Sequence, residues 1–212
     1  MVFVGLLICW HFGVATNSWT KPQLDEFALA IRADKALKIA IGSLKDKFLH
    51  YTQALIHGDL HTGSMMVTES TTYMIDPEFA YYGPMGFDVG AVLANLLLAY
   101  YSQKGHANGE EYSEWILQQI VTIWESFHAK FLELWTEENL QGEAIKLPIY
   151  GDVLVETKEE YMRKLFQDSC GFTGAKMLRR IVGIAHVEDL KAIAADNVRA
   201  DCEKRALLLA RW

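Results

Sequence analysis

The chain has no pair of cysteines at metal-binding or CxxC spacing. Cys9, Cys170 and Cys202 are odd in number and widely scattered, so neither a disulfide framework nor a zinc knuckle is implied, and a reducing, cytoplasmic setting is the default. There is no basic excess either. A formal net charge of -7 and a pI near 5.5, without a long Lys/Arg run, argue against a nucleic-acid partner. The apolar opening, MVFVGLLICWHFGVA, has no basic start and is interrupted by His11 and two glycines. It is too short to span a bilayer, which takes roughly 20 apolar residues, so no membrane partner is read. A buried strand and a weak signal peptide are alternatives for residues 1–20, and an ill-formed start from a truncated gene model is favoured over both. Internal repeats and low-complexity tracts are absent.

What is present is enough apolar residue to close a core: 51% of 212 residues, which excludes a disordered chain. From Pro22 onward Leu24, Phe27, Ala28 and Ile31, then Leu37, Ile41, Leu44 and Phe48, recur at helical spacing, predicting one helix or two. The stretches Met65 to Thr68 and Thr72 to Ile75 alternate as two short strands joined by a polar turn. Helical periodicity then dominates, over Gly86 to Tyr101, Glu110 to Trp135, Glu156 to Asp168, Thr173 to Val187 and Leu190 to Leu209. The expected fold class is mainly α with a small β-hairpin.

Two acidic motifs flank that hairpin. Asp59 follows an apolar run and Gly58, which permits a tight turn and sets a carboxylate at a loop tip, where a general base or substrate-orienting acceptor would sit. Asp76-Pro77-Glu78 offers two hard oxygen ligands. In an extended segment residues two apart face the same side, so both ligands point to one face, and Pro77 holds the pair extended instead of wound into a helix. One base-like carboxylate and two metal-type carboxylates across a hairpin suggest metal-assisted phosphoryl transfer. Asp-Pro is also a common turn start, and a lone HGD is weak. The order of the elements raises the specificity: apolar strand, HGDxH, hairpin, apolar strand, acidic pair.

HGDLHTGS resembles the catalytic loop of the aminoglycoside phosphotransferase and choline kinase group, usually His-Gly-Asp-x-His-x-x-Asn, and departs from it at Ser64. Together with MIDPEFAYYGPMGFDVGAVLANLLLAYYSQ and GAKMLRRIVGIAHVEDL, it is similar to the 5-methylthioribose kinase family, the plant form especially, from about Thr20 to the end. The resemblance implies a protein-kinase-like C-terminal lobe over residues 21–212. It implies Asp59 as the catalytic, sugar-binding aspartate, Asp76-Pro77-Glu78 at the nucleotide with Asp76 and Glu78 on Mg2+, and ATP as phosphate donor. It also implies a homodimer, Asp88 as a structural tie to the catalytic loop, and His57 as a loop brace.

On a helix starting near Thr173, Arg180 falls in the apolar stripe, where a guanidinium wants a partner. A core ion pair or a snorkelling stem is the bland reading. The resemblance assigns Arg179 and Arg180 to the sugar pocket without saying which is closer. Phe79, Tyr81, Tyr82 and Phe87 read as a packed wall, and Trp115, Trp124 and Trp135 as core or interface.

A kinase of this type also needs an N-terminal β lobe with a phosphate-covering loop and a lysine, and no GxGxxG or GxxxxGK is found here. The expectation is therefore a catalytic half that phosphorylates 5-methylthioribose at the 1-position in methionine salvage, inactive alone if the nucleotide clamp is lost. The alternatives are a non-catalytic lobe acting by dimerisation or competition and, more weakly, a metallophosphoesterase, whose further motifs are missing.

Overall fold

A computed structural model describes residues 17–107, 109–135 and 153–211. The expectations for the opening apolar segment and for Cys9 fall outside these residues. Helices dominate, with two short antiparallel strand pairs, as expected of a mainly α, kinase-like domain.

The first periodic stretch is two helices, α1 (Asp25–Ala33) and α2 (Lys35–His50). They part at Asp34, whose backbone is extended and whose side chain accepts the Leu37 N–H at 3.0 Å, capping α2 at its start. Strand β1 (Ala54–Ile56) follows, then a single 3-10 turn (Thr62–Ser64) and the predicted hairpin, β2 (Met65–Val67) with β3 (Thr72–Met74). Strand β4 (Tyr81–Gly83) returns to pair with β1, Ile56 opposite Tyr81 and Ala54 opposite Gly83.

Helix α3 (Met85–Ser102) is the centre of the molecule. It packs mainly on α5 (Leu154–Val182), and also on α4 (Gly109–Leu134) and α7 (Asp196–Ala210). Among the described residues it is the one helix long and apolar enough to cross a membrane, but its length is spent on the core: Ala94 and Leu98 are fully buried.

Two boundary expectations are corrected. The stretches Glu156 to Asp168 and Thr173 to Val187 are one continuous helix, α5, that ends at Val182. Its glycines mark close approach instead of a break: a Cβ on Gly171 would lie 2.9 Å from the Leu44 side chain, and one on Gly174 2.7 Å from the Ala210 carbonyl. Conversely, Leu190 to Leu209 is split into a one-turn helix α6 (Glu188–Lys191) and α7. The interruption lets Ile193 turn into the core, where it is 3% exposed, while its carbonyl accepts from Arg199 Nη1 at 2.7 Å.

The largest buried cluster joins α1, α3, α5 and α7 through Leu24, Ile31, Leu98, Met177, Ile181 and Leu207. A second cluster lies under β1 and β4. There Phe48, Phe87 and Phe172 form an aromatic column with Tyr81 on its end, ring centroids 4.9 to 5.4 Å apart. The predicted aromatic wall thus holds for Tyr81 and Phe87, but Tyr82 points outward and is 66% exposed. Of the tryptophans, Trp124 packs on Phe166 and Trp135 on Tyr161, across α4 and α5, while Trp115 stacks on Tyr112 at the surface.

Candidate active site

Pairing of β1 with β4 lays two loops side by side: the one leaving β1 at His57 and the one entering β4 after Asp76. Gly58 makes the approach possible. Its φ is +83°, and a Cβ there would fall 2.2 Å from the Phe79 carbonyl oxygen, so neither the backbone angle nor the space admits a side chain. His57 ties the loop to the hairpin. Its Nε2 lies 2.8 Å from the Ile75 carbonyl and its Nδ1 3.4 Å from the Asp59 N–H. A ring that donates from Nε2 and accepts at Nδ1 satisfies both, which agrees with His57 as a brace.

The loop is anchored from below by Asp88, in the first turn of α3. Its two oxygens accept the backbone N–H groups of His57 at 2.6 Å and Gly58 at 3.1 Å. Asp88 is buried, and burial holds its pKa above the ordinary carboxylate value although the two N–H donors pull the other way. It fastens the loop, as expected, and leaves Asp59 free at the tip.

The Asp59 carboxylate is 31% exposed, open enough to meet a substrate. Its oxygens are flanked on two sides: Oδ2 lies 3.8 Å from His61 Nε2 and Oδ1 3.8 Å from Lys176 Nζ. Ser64, where the broader pattern has Asn, is buried and donates its hydroxyl to the Asp59 carbonyl at 3.3 Å, so it braces the loop end.

The acidic pair is placed differently from expectation. Asp76 adopts φ +63°, Glu78 and Phe79 form a turn, and the Ala80 N–H donates to the Pro77 carbonyl at 3.0 Å, so the segment is curled and the same-face argument for an extended strand fails. The chemistry of the two carboxylates still fits a hard cation. Asp76 and Glu78 are both exposed, and neither has an ion-pair partner among the described residues. No group of three or more potential metal-ligating residues occurs among the described residues, so phosphate oxygens and water would have to complete a magnesium shell there.

Arg179 and Arg180 are half-buried near the end of α5, and the Arg180 Nε is buried without a hydrogen-bond partner. Arg180 has no ion pair with a described carboxylate, so the core-ion-pair reading is not what the structure contains for it. Sequence reasoning missed Lys176. The helical argument that placed Arg180 in the apolar stripe applies with more force to a lysine four residues earlier, between Phe172 and Met177.

A family model described as the phosphotransferase enzyme family matches residues 12–116, which contain both acidic loops. Among curated proteins, methylthioribose kinase 1 and methylthioribose kinase 2 of Oryza sativa subsp. japonica are each 52% identical over 202 residues, covering 92% of this chain and 47% of each relative. The chain is a homologue of methylthioribose kinases and carries a phosphotransferase-family segment. A methylthioribose kinase of Escherichia coli O45:K1 (strain S88 / ExPEC) is 41% identical over 208 residues, with 95% of this chain and 49% of the relative covered. The chain thus spans about half the length of the curated relatives it matches.

Proposed function

We propose that this chain carries the catalytic lobe of an ATP-dependent kinase that phosphorylates 5-methylthioribose at its 1-hydroxyl, as in methionine salvage. Residues 21–212 correspond to the C-terminal lobe. The observation that carries the reading is Asp59: a partly exposed carboxylate at the tip of a loop pinned by Asp88, next to an open pair of hard ligands, in a chain homologous to methylthioribose kinases.

Asp59 orients the acceptor hydroxyl and takes its proton as the oxygen–phosphorus bond forms and the bond to the ADP oxygen breaks. Asp76 and Glu78, with Pro77 shaping the turn between them, would hold Mg2+, which would neutralise charge on the phosphoryl donor. Arg179 and Arg180 line the sugar side. The protein is cytoplasmic, works as a homodimer, and takes neither nucleic acid nor membrane as partner; the acidic balance supports the exclusion of nucleic acid.

The test is phosphorus NMR of the purified chain with Mg-ATP and 5-methylthioribose, alongside titration calorimetry with each ligand. A sugar 1-phosphate resonance that grows with ADP is expected. Sugar binding without transfer overturns catalysis by this chain; absence of sugar binding overturns the substrate assignment as well.

A further inference from the structure

Lys176 is among the least exposed charged residues described, at 5%, and its ammonium makes no hydrogen bond to any described residue. An ammonium taken out of water needs compensation. What surrounds it is specific. The Phe87 ring centroid lies 4.2 Å from Nζ, Asp59 Oδ1 lies 3.8 Å away, and Asp88, which grips the backbone of the same loop, adds a second negative charge. Arg179 and Arg180, one turn further along α5, oppose its charge. Burial, first of all, and those two guanidinium groups push its pKa down to about 8, while Asp59 and Asp88 act the other way.

The geometry flanks the Asp59 carboxylate on both sides. His61 faces Oδ2 and Lys176 faces Oδ1. These two groups come from different elements, the loop itself and the last third of α5, so the helix that builds the core also reaches the loop tip. We propose that Lys176 is a positioning residue for Asp59, its ammonium fixing one carboxylate oxygen in the orientation needed to meet the acceptor hydroxyl. The inference rests on the reading of Asp59 as the transfer carboxylate.

The test uses the full chain, with lysine side-chain NMR titration and turnover measured on the wild type, Asp59→Asn, Lys176→Met and Lys176→Arg. Coupling requires that Lys176 bind its proton at least threefold more weakly once Asp59 is neutralised. It also requires that Lys176→Met lose at least thirtyfold in kcat with the sugar KM within threefold, and that Lys176→Arg recover part of the loss. An unmoved Lys176 titration in Asp59→Asn overturns the pairing whatever the turnover. A moved titration with unchanged kcat in Lys176→Met overturns the positioning role. Coupling in a wild type that binds sugar but transfers no phosphate rejects catalysis by this chain and, with it, this role, and the separate titration shows which of the two claims failed.

Discussion

Asp59 and Asp76 each stand in a loop at the end of a strand pair, a few residues from a glycine or proline, yet the protein treats them in opposite ways. The loop of Asp59 is fastened at every level: Asp88 takes the His57 and Gly58 N–H groups, His57 reaches the hairpin, Ser64 holds the Asp59 carbonyl, and Lys176 and His61 flank the carboxylate. Asp76 is exposed, sits at positive φ and has no ion-pair partner among the described residues. A carboxylate that must meet one hydroxyl in one geometry gains from such preorganisation. One that shares a magnesium ion with phosphates and water gains from being left open, since the ligand completes the site.

This contrast can be broken from either side. Gly58→Ala should have the largest effect on stability, about 3 kcal/mol by denaturant unfolding, because it adds left-handed strain to a contact against Phe79. Next comes the pH dependence of Lys176. Its folded pKa of about 8 lies below its ordinary value of 10.5, so the folded state binds fewer protons in between and its stability rises with pH across that window. Relative to Lys176→Met, the wild type should gain on the order of 3 kcal/mol between pH 8 and pH 10.5. Asp76→Asn should leave the unfolding midpoint unchanged, since Asn tolerates positive φ, while weakening magnesium-dependent ATP binding at least tenfold by calorimetry. The smallest change belongs to the open hairpin: Tyr73→Ser, at a position 61% exposed, should shift stability by less than about 0.5 kcal/mol.

The local patterns were readable in the sequence wherever one short period or one motif decided them. The hairpin and the central helix follow from alternation and apolar density, and the Asp88 tie from the family resemblance carried by GFDVG. Reading failed where a distant partner overrides a local signal. Gly171 and Gly174 look like punctuation until Leu44 and Ala210 are seen against them, and Asp-Pro-Glu looks extended although Asp76 takes a left-handed φ and Glu78 and Phe79 turn. Lys176 was hidden for the same reason: its meaning depends on Asp59, 117 positions earlier in the chain (176 − 59), and no periodicity links them.

The claim on which the rest depends is that the braced carboxylate at position 59 takes part in the transfer itself. The most direct test is steady-state turnover of 5-methylthioribose with Mg-ATP by the wild-type chain and by Asp59→Asn, with unfolding midpoints measured in parallel. Loss of turnover by roughly a thousandfold or more at an unchanged midpoint is the predicted result, since the amide keeps the volume but cannot accept the proton. Turnover within tenfold of the wild type would contradict the account and remove Asp59 from the reaction.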